Sequence, residues 1–115
     1  MSKTYREIIE DMLTEGYDRL SELEKSKTCA SVGTALFHQT FDNISDETLL
    51  RILPVIHDAQ DIIDLRWKAY KKRLKKTDPR DQEWEELSKE YEKAFAFAQA
   101  LAFACDRARG DYSQK

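Results

Sequence analysis

Residues 94–105 read Ala-Phe-Ala-Phe-Ala-Gln-Ala-Leu-Ala-Phe-Ala-Cys. Small and aromatic residues alternate, which by period alone suggests a strand. The flanks predict a helix instead: Asp78-Pro79 upstream is a start signal and Gly110 downstream a stop. Trp84, Leu87, Tyr91, Ala94, Ala98, Leu101, Cys105 and Ala108 recur at three- and four-residue steps along it. Up to Lys93 the remaining faces are charged. Beyond it they become Phe95, Phe97, Ala100, Phe103 and Ala104. A helix that is apolar on every side has to be covered on every side. The run therefore predicts either the centre of the fold or the surface on which two chains meet.

The rest of the chain is helical by the same reasoning. Three glycines and two prolines in 115 residues are too few for a loop-rich or all-β fold. A first helix is expected from Lys3 to Glu24, with Tyr5, Ile8, Ile9, Met12, Leu13, Leu20 and Leu23 on its apolar stripe. Gly16 falls on that stripe, where it can admit a close neighbouring helix. Ser26–Thr28 reads as a break, and Cys29, Val32, Leu36, Phe37 and Phe41 mark a shorter second helix. Ser45 is the natural N-cap of a third helix running towards Lys76, with Asp46 and Glu47 at the positive end of its dipole. Pro54 either kinks that helix or divides it. Ile52, Val55, Ile56, Ala59, Ile62, Ile63, Trp67, Tyr70 and Leu74 form a broad apolar arc on it, so more than one neighbour is expected.

At about 1.5 Å per residue the third and fourth helices each approach roughly 45 Å. A connection of two or three residues makes them an antiparallel hairpin. The expected fold is all-α: a four- to five-helix bundle on that hairpin, one domain over residues 1–110, with a frayed polar tail at 111–115. The shortness of the second helix leaves the Ala-Phe run under-covered. This points to a contribution from another chain.

Arg66, Lys68, Lys71, Lys72, Arg73, Lys75 and Lys76 form a run of cations with no acid among them. It suits phosphate or an acidic partner. It also suits the negative end of its own helix dipole and the acids Asp78, Asp81, Glu83, Glu85 and Glu86 across the turn. His57, Asp61 and Asp64 share one helical face and could bind a divalent metal, given a second ligand-bearing helix. No Glu-x-x-His pair supplies one, and the bland alternative is a solvated face with Asp64 paired to Lys68. His38, beside Phe37, reads as a partly buried structural histidine. Trp67 and Trp84 flank the hairpin turn, where they can pack in the core or anchor a partner. Cys29 and Cys105 lack metal or redox spacing and read as buried free thiols.

The net charge of −3 argues against generic nucleic-acid binding by the whole domain. No apolar run is long enough to span a membrane, and the first residues lack an apolar signal region, so a cytoplasmic location is expected. The function expected is a small non-enzymatic protein-binding module: an adaptor, inhibitor or assembly subunit without catalytic residues, metal or cofactor. Self-association as a homodimer is expected through the last helix at Ala94, Phe97, Ala98, Leu101 and Phe103. Two alternatives stand beside it: a nucleic-acid-associated subunit using Arg66–Lys76, and a metal-dependent enzyme using the His57/Asp61/Asp64 face.

Overall fold

The computed structural model describes residues 4–20 and 29–110, and every regular element among them is helical. Helix α1 spans Tyr5–Asp11 and continues through a π-helical turn, Met12–Gly16, into a last α-turn, Tyr17–Arg19. Thr4 caps it. The Thr4 hydroxyl accepts the Glu7 N–H at 3.2 Å, and the Glu7 carboxylate accepts the Thr4 N–H at 3.4 Å. The helix ends earlier than its apolar stripe predicts, because Leu20 is extended (ψ 146°). Leu23 and Glu24 lie outside the described residues, as do the break at Ser26–Thr28, the Cys29 side chain and the tail at 111–115.

Helix α2 spans Cys29–Phe41, α3 Asp46–Arg51, α4 Leu53–Lys76 and α5 Gln82–Ala108. The Ser45 hydroxyl accepts the Thr48 N–H at 3.2 Å and starts α3 as expected. Pro54 divides rather than kinks the third helix. Ile52 leaves helical geometry (φ −94°, ψ 9°), and Pro54 falls in the first turn of α4, where its missing N–H has no intrahelical partner to lose.

Asp78-Pro79 proves to be a turn and not the start of α5. Asp78 Oδ1 accepts the Arg80 N–H at 3.0 Å, and this bond holds the Asp78 carboxyl below its ordinary range. Asp81 is the N-cap, three residues later than expected, so the connection covers residues 77–81. An Asp-Pro pair serves an Asx turn as well as a helix start, which is why the sequence misplaces the boundary.

With 24 and 27 residues, α4 and α5 run roughly 36 and 40 Å. Their contacts pair in antiparallel order. Arg73 meets Glu83, Trp67 meets Tyr91 and Phe95, and Gln60 meets Cys105. Helix α5 packs most extensively against α4 on one side and α2 on the other. Ala96, Ala100 and Ala104 line one stripe of α5 and are fully buried, as is Leu101. Small residues there let α2 come close. A Cβ on Gly33 would stand 2.5 Å from Gln99 Cβ and 3.0 Å from the Ala96 carbonyl oxygen. Gly16 makes a looser approach, with Leu36 Cδ2 at 3.2 Å from where its Cβ would be. Helix α1 closes the core with Tyr17 edge-on to Phe97, ring centroids 6.2 Å apart.

The residues expected at a homodimer interface pack against their own chain. Ala94, Phe97 and Leu101 are buried within the single chain, at 4%, 6% and 0% exposure. Ala98 is half-buried, and Phe103 is half-buried against Phe37, centroids 5.9 Å apart. The second helix is short, but the glycine-to-alanine seam brings it near enough to cover the Ala96–Ala100–Ala104 stripe, while α1 and α4 cover Phe97 and Phe95.

Arg107 ties the end of α5 to the turn between α2 and α3. Its side chain is 15% exposed; Nη1 donates to the Phe41 carbonyl at 2.9 Å, Nη2 to the Ile44 carbonyl at 2.6 Å, and Nε to Asp46 Oδ1 at 2.6 Å. One planar guanidinium thus binds two carbonyls of the turn between α2 and α3 and a carboxylate at the start of α3.

Candidate functional site: the outer face of α4

Helix α4 buries Ile56, Ala59 and Ile63. Trp67 continues that face, half-buried, with its ring centroid 5.7 Å from Phe95 and 6.4 Å from Tyr91. On the opposite face Asp58, Ile62, Leu65, Ala69, Lys72 and Lys76 follow one another at four-three-four-three-four spacing, all exposed. Such spacing keeps side chains on one stripe for the length of a helix. Ile62 is 52% exposed and Leu65 is 72% exposed. The sequence places Ile62 in the buried arc; the structure puts it at the arc's open edge. Leu65 lies outside that arc altogether. Its only sequence signal is a large apolar residue set between Asp64 and Arg66, on the charged side of the helix.

Charge on this face is graded. His57, Asp58, Asp61 and Asp64 occupy its N-terminal half. Arg66, Lys68, Lys71, Lys72, Arg73, Lys75 and Lys76 occupy the C-terminal half, and all seven are exposed. Arg73 reaches across to Glu83 at 3.3 Å, an exposed pair of small energetic weight. Lys68 and Lys71 each place Nζ 5.9 Å from the Trp67 ring centroid. Asp58 pairs with Arg6 of α1 at 3.5 Å. Next to Asp58 a shallow groove runs between α1 and α4, lined on its apolar side by Ile9, Leu13, Val55, Ala59 and Ile62.

The remaining candidates take structural positions. Asp64 accepts the Trp67 indole N–H at 3.1 Å instead of pairing with Lys68 as expected. His57 and Asp61 are exposed on the solvent side of α4. Among the described residues no three His, Cys, Asp or Glu side chains are grouped so as to hold a metal ion. His38 is partly exposed, its Nδ1 2.7 Å from Asp42 Oδ1 and its ring against Phe37. Trp84 is half-buried. Cys105 is a buried free thiol with Sγ 3.5 Å from Gln60 Oε1, and burial pushes its pKa up, away from the reactive thiolate.

Among the described residues no helix is long and apolar enough to cross a membrane. The chain matches no family model, and comparison with curated proteins and with solved structures gives no significant match. The α4 face carries two exposed aliphatic side chains at its centre, a shallow apolar groove beside them, and opposite charges towards its two ends.

Proposed function

We propose that this chain is a non-enzymatic protein-binding module, an adaptor, inhibitor or assembly subunit of the cytoplasm, and that the outer face of α4 is its docking surface. The observation that carries this reading is the exposure of Leu65 and Ile62, 72% and 52%, on a helix whose other face packs into the core through Ile56, Ala59 and Ile63. An isolated exposed leucine needs no explanation. Two on one stripe, rimmed by charge and adjoining a groove, have the layout of an interface centre with a polar rim.

A second reading draws on the exposure of all seven cations from Arg66 to Lys76: a nucleic acid bound along the C-terminal half of α4. Phosphate binding there would weaken steeply with salt. Asp58 and Asp61 on the same face oppose it, since both would repel a phosphate backbone running past them.

The test is a photo-crosslinking side chain placed at Leu65, with Gln39 on the exposed side of α2 as the control position. In the native host the Leu65 position is expected to give a discrete protein adduct and the Gln39 position none. Loss of the Leu65 adduct, equal adducts at both positions, or an adduct removed by nuclease would contradict the proposal.

A further inference from the structure

We infer that the occupant of this face is a second copy of the chain, with the two α4 helices packed antiparallel about a two-fold axis between Ile62 and Leu65. The inference rests on the docking reading above and adds the identity of the partner.

Three features of the face argue for it. The first is self-complementary charge. Reversing a second α4 about that axis sets Asp58 within one helical turn of the other copy's Lys68 and Lys72, and Asp61 within one turn of its Lys68, and does so twice by symmetry. A parallel pair would set like charges together. An acidic partner, or a nucleic acid, would complement only the basic half and leave the aspartates opposed.

The second feature is the spacing. The stripe Asp58, Ile62, Leu65, Ala69, Lys72 alternates four- and three-residue steps, the repeat that keeps two helices in contact along a shared seam. Small Ala69 falls opposite Asp58 in the antiparallel register, where the helices can close up.

The third is shape. Leu65 is the most exposed large apolar side chain described. In this register it lies level with the other copy's Ile62, beside the groove between α1 and α4 that Ile9, Leu13, Val55 and Ala59 line. Each copy supplies one projecting side chain and one groove, as an isologous interface requires. The aspartates also find use here, since without a reversed copy Asp61 has no described cation to meet.

Sedimentation equilibrium on the full chain tests the inference. The wild type is expected to reach twice the 13.5-kDa chain mass as concentration rises. Leu65→Glu is expected to weaken association at least roughly tenfold, with the far-UV circular dichroism unchanged because the side chain is solvent-facing. Asp61→Lys and Lys68→Asp each weaken it, and the double variant restores it towards wild type. A general folding defect cannot produce such restoration.

A wild type that stays monomeric at every attainable concentration overturns the inference. So does a dimer indifferent to Leu65→Glu, or a double charge swap no better than its parents. The mass of the Leu65 crosslinked adduct keeps the two proposals apart. A dimer-sized adduct supports both, whereas an adduct with a different protein retains the docking surface and removes self-association.

Discussion

Gly33→Ala is expected to lower the stability of this chain by up to about 2 kcal/mol, although alanine is the better helix former by about 1 kcal/mol. The position is inside α2, so helix propensity alone predicts a gain. The neighbours reverse the sign. A Cβ at Gly33 would stand 2.5 Å from Gln99 Cβ and 3.0 Å from the Ala96 carbonyl oxygen. Neither is the free end of a flexible side chain, so α2 and α5 have to separate. Separation opens the seam over Ala96 and Ala100, both fully buried. Overpacking of this kind costs about 1–3 kcal/mol, and more for larger groups. Gly33→Leu is accordingly expected to leave no folded population. Urea denaturation reads the effect as a lower midpoint at unchanged slope. A Gly33→Ala variant as stable as the wild type would show that α2 and α5 do not meet at Gly33.

Phe37→Ala is expected to cost about 3–5 kcal/mol, the range for emptying a fully buried aromatic site. Phe37 has no solvent exposure and sits among Phe41, Phe103 and His38, with centroids 5.8, 5.9 and 5.1 Å away. Helix α2 reaches α5 through this cluster, so its loss uncovers the same run that Gly33 brings into contact. Against a typical total of about 5–15 kcal/mol the variant is close to unfolding at ambient temperature. Tyr5→Ala, at a position 39% exposed, is the matched control and is expected to change stability by under about 1 kcal/mol. A Phe37→Ala loss no larger than that of Tyr5→Ala would mean that α2 does not hold the core.

These two positions show where the sequence is legible and where it is not. Scarce glycine and proline, stripes at three-four spacing, Ser45 as a cap and Pro54 as a boundary all follow from local physics, and they lead to an all-α fold. Whether the Ala-Phe run is covered by its own chain or by another is not local. It depends on the distance between α2 and α5. That distance is set by one glycine facing a row of alanines that begins 63 residues further along the chain (33 to 96), and Gly33 read alone is merely a weak helix former. The start of α5 was hidden for a different reason, since Asp78-Pro79 satisfies two local geometries equally.

For the site, the charge grading of α4 was plain in the sequence. Which of its apolar residues face outward was not. Ile62 sits at the edge of the buried arc, where a small rotation of the helix decides its exposure. Leu65 breaks the pattern, so helical periodicity does not mark it.

On this packing the Ala-Phe run is interior to one chain, while the open surface lies on α4. Hydroxyl-radical footprinting across a dilution series tests it directly, because it reads side-chain accessibility position by position. Phe97 and Leu101 are expected to stay protected at every concentration. Leu65 is expected to be modified readily in dilute solution and protected as the chain is concentrated. Phe97 and Leu101 becoming modified on dilution, with Leu65 unchanged throughout, would contradict this arrangement and place the meeting surface on α5.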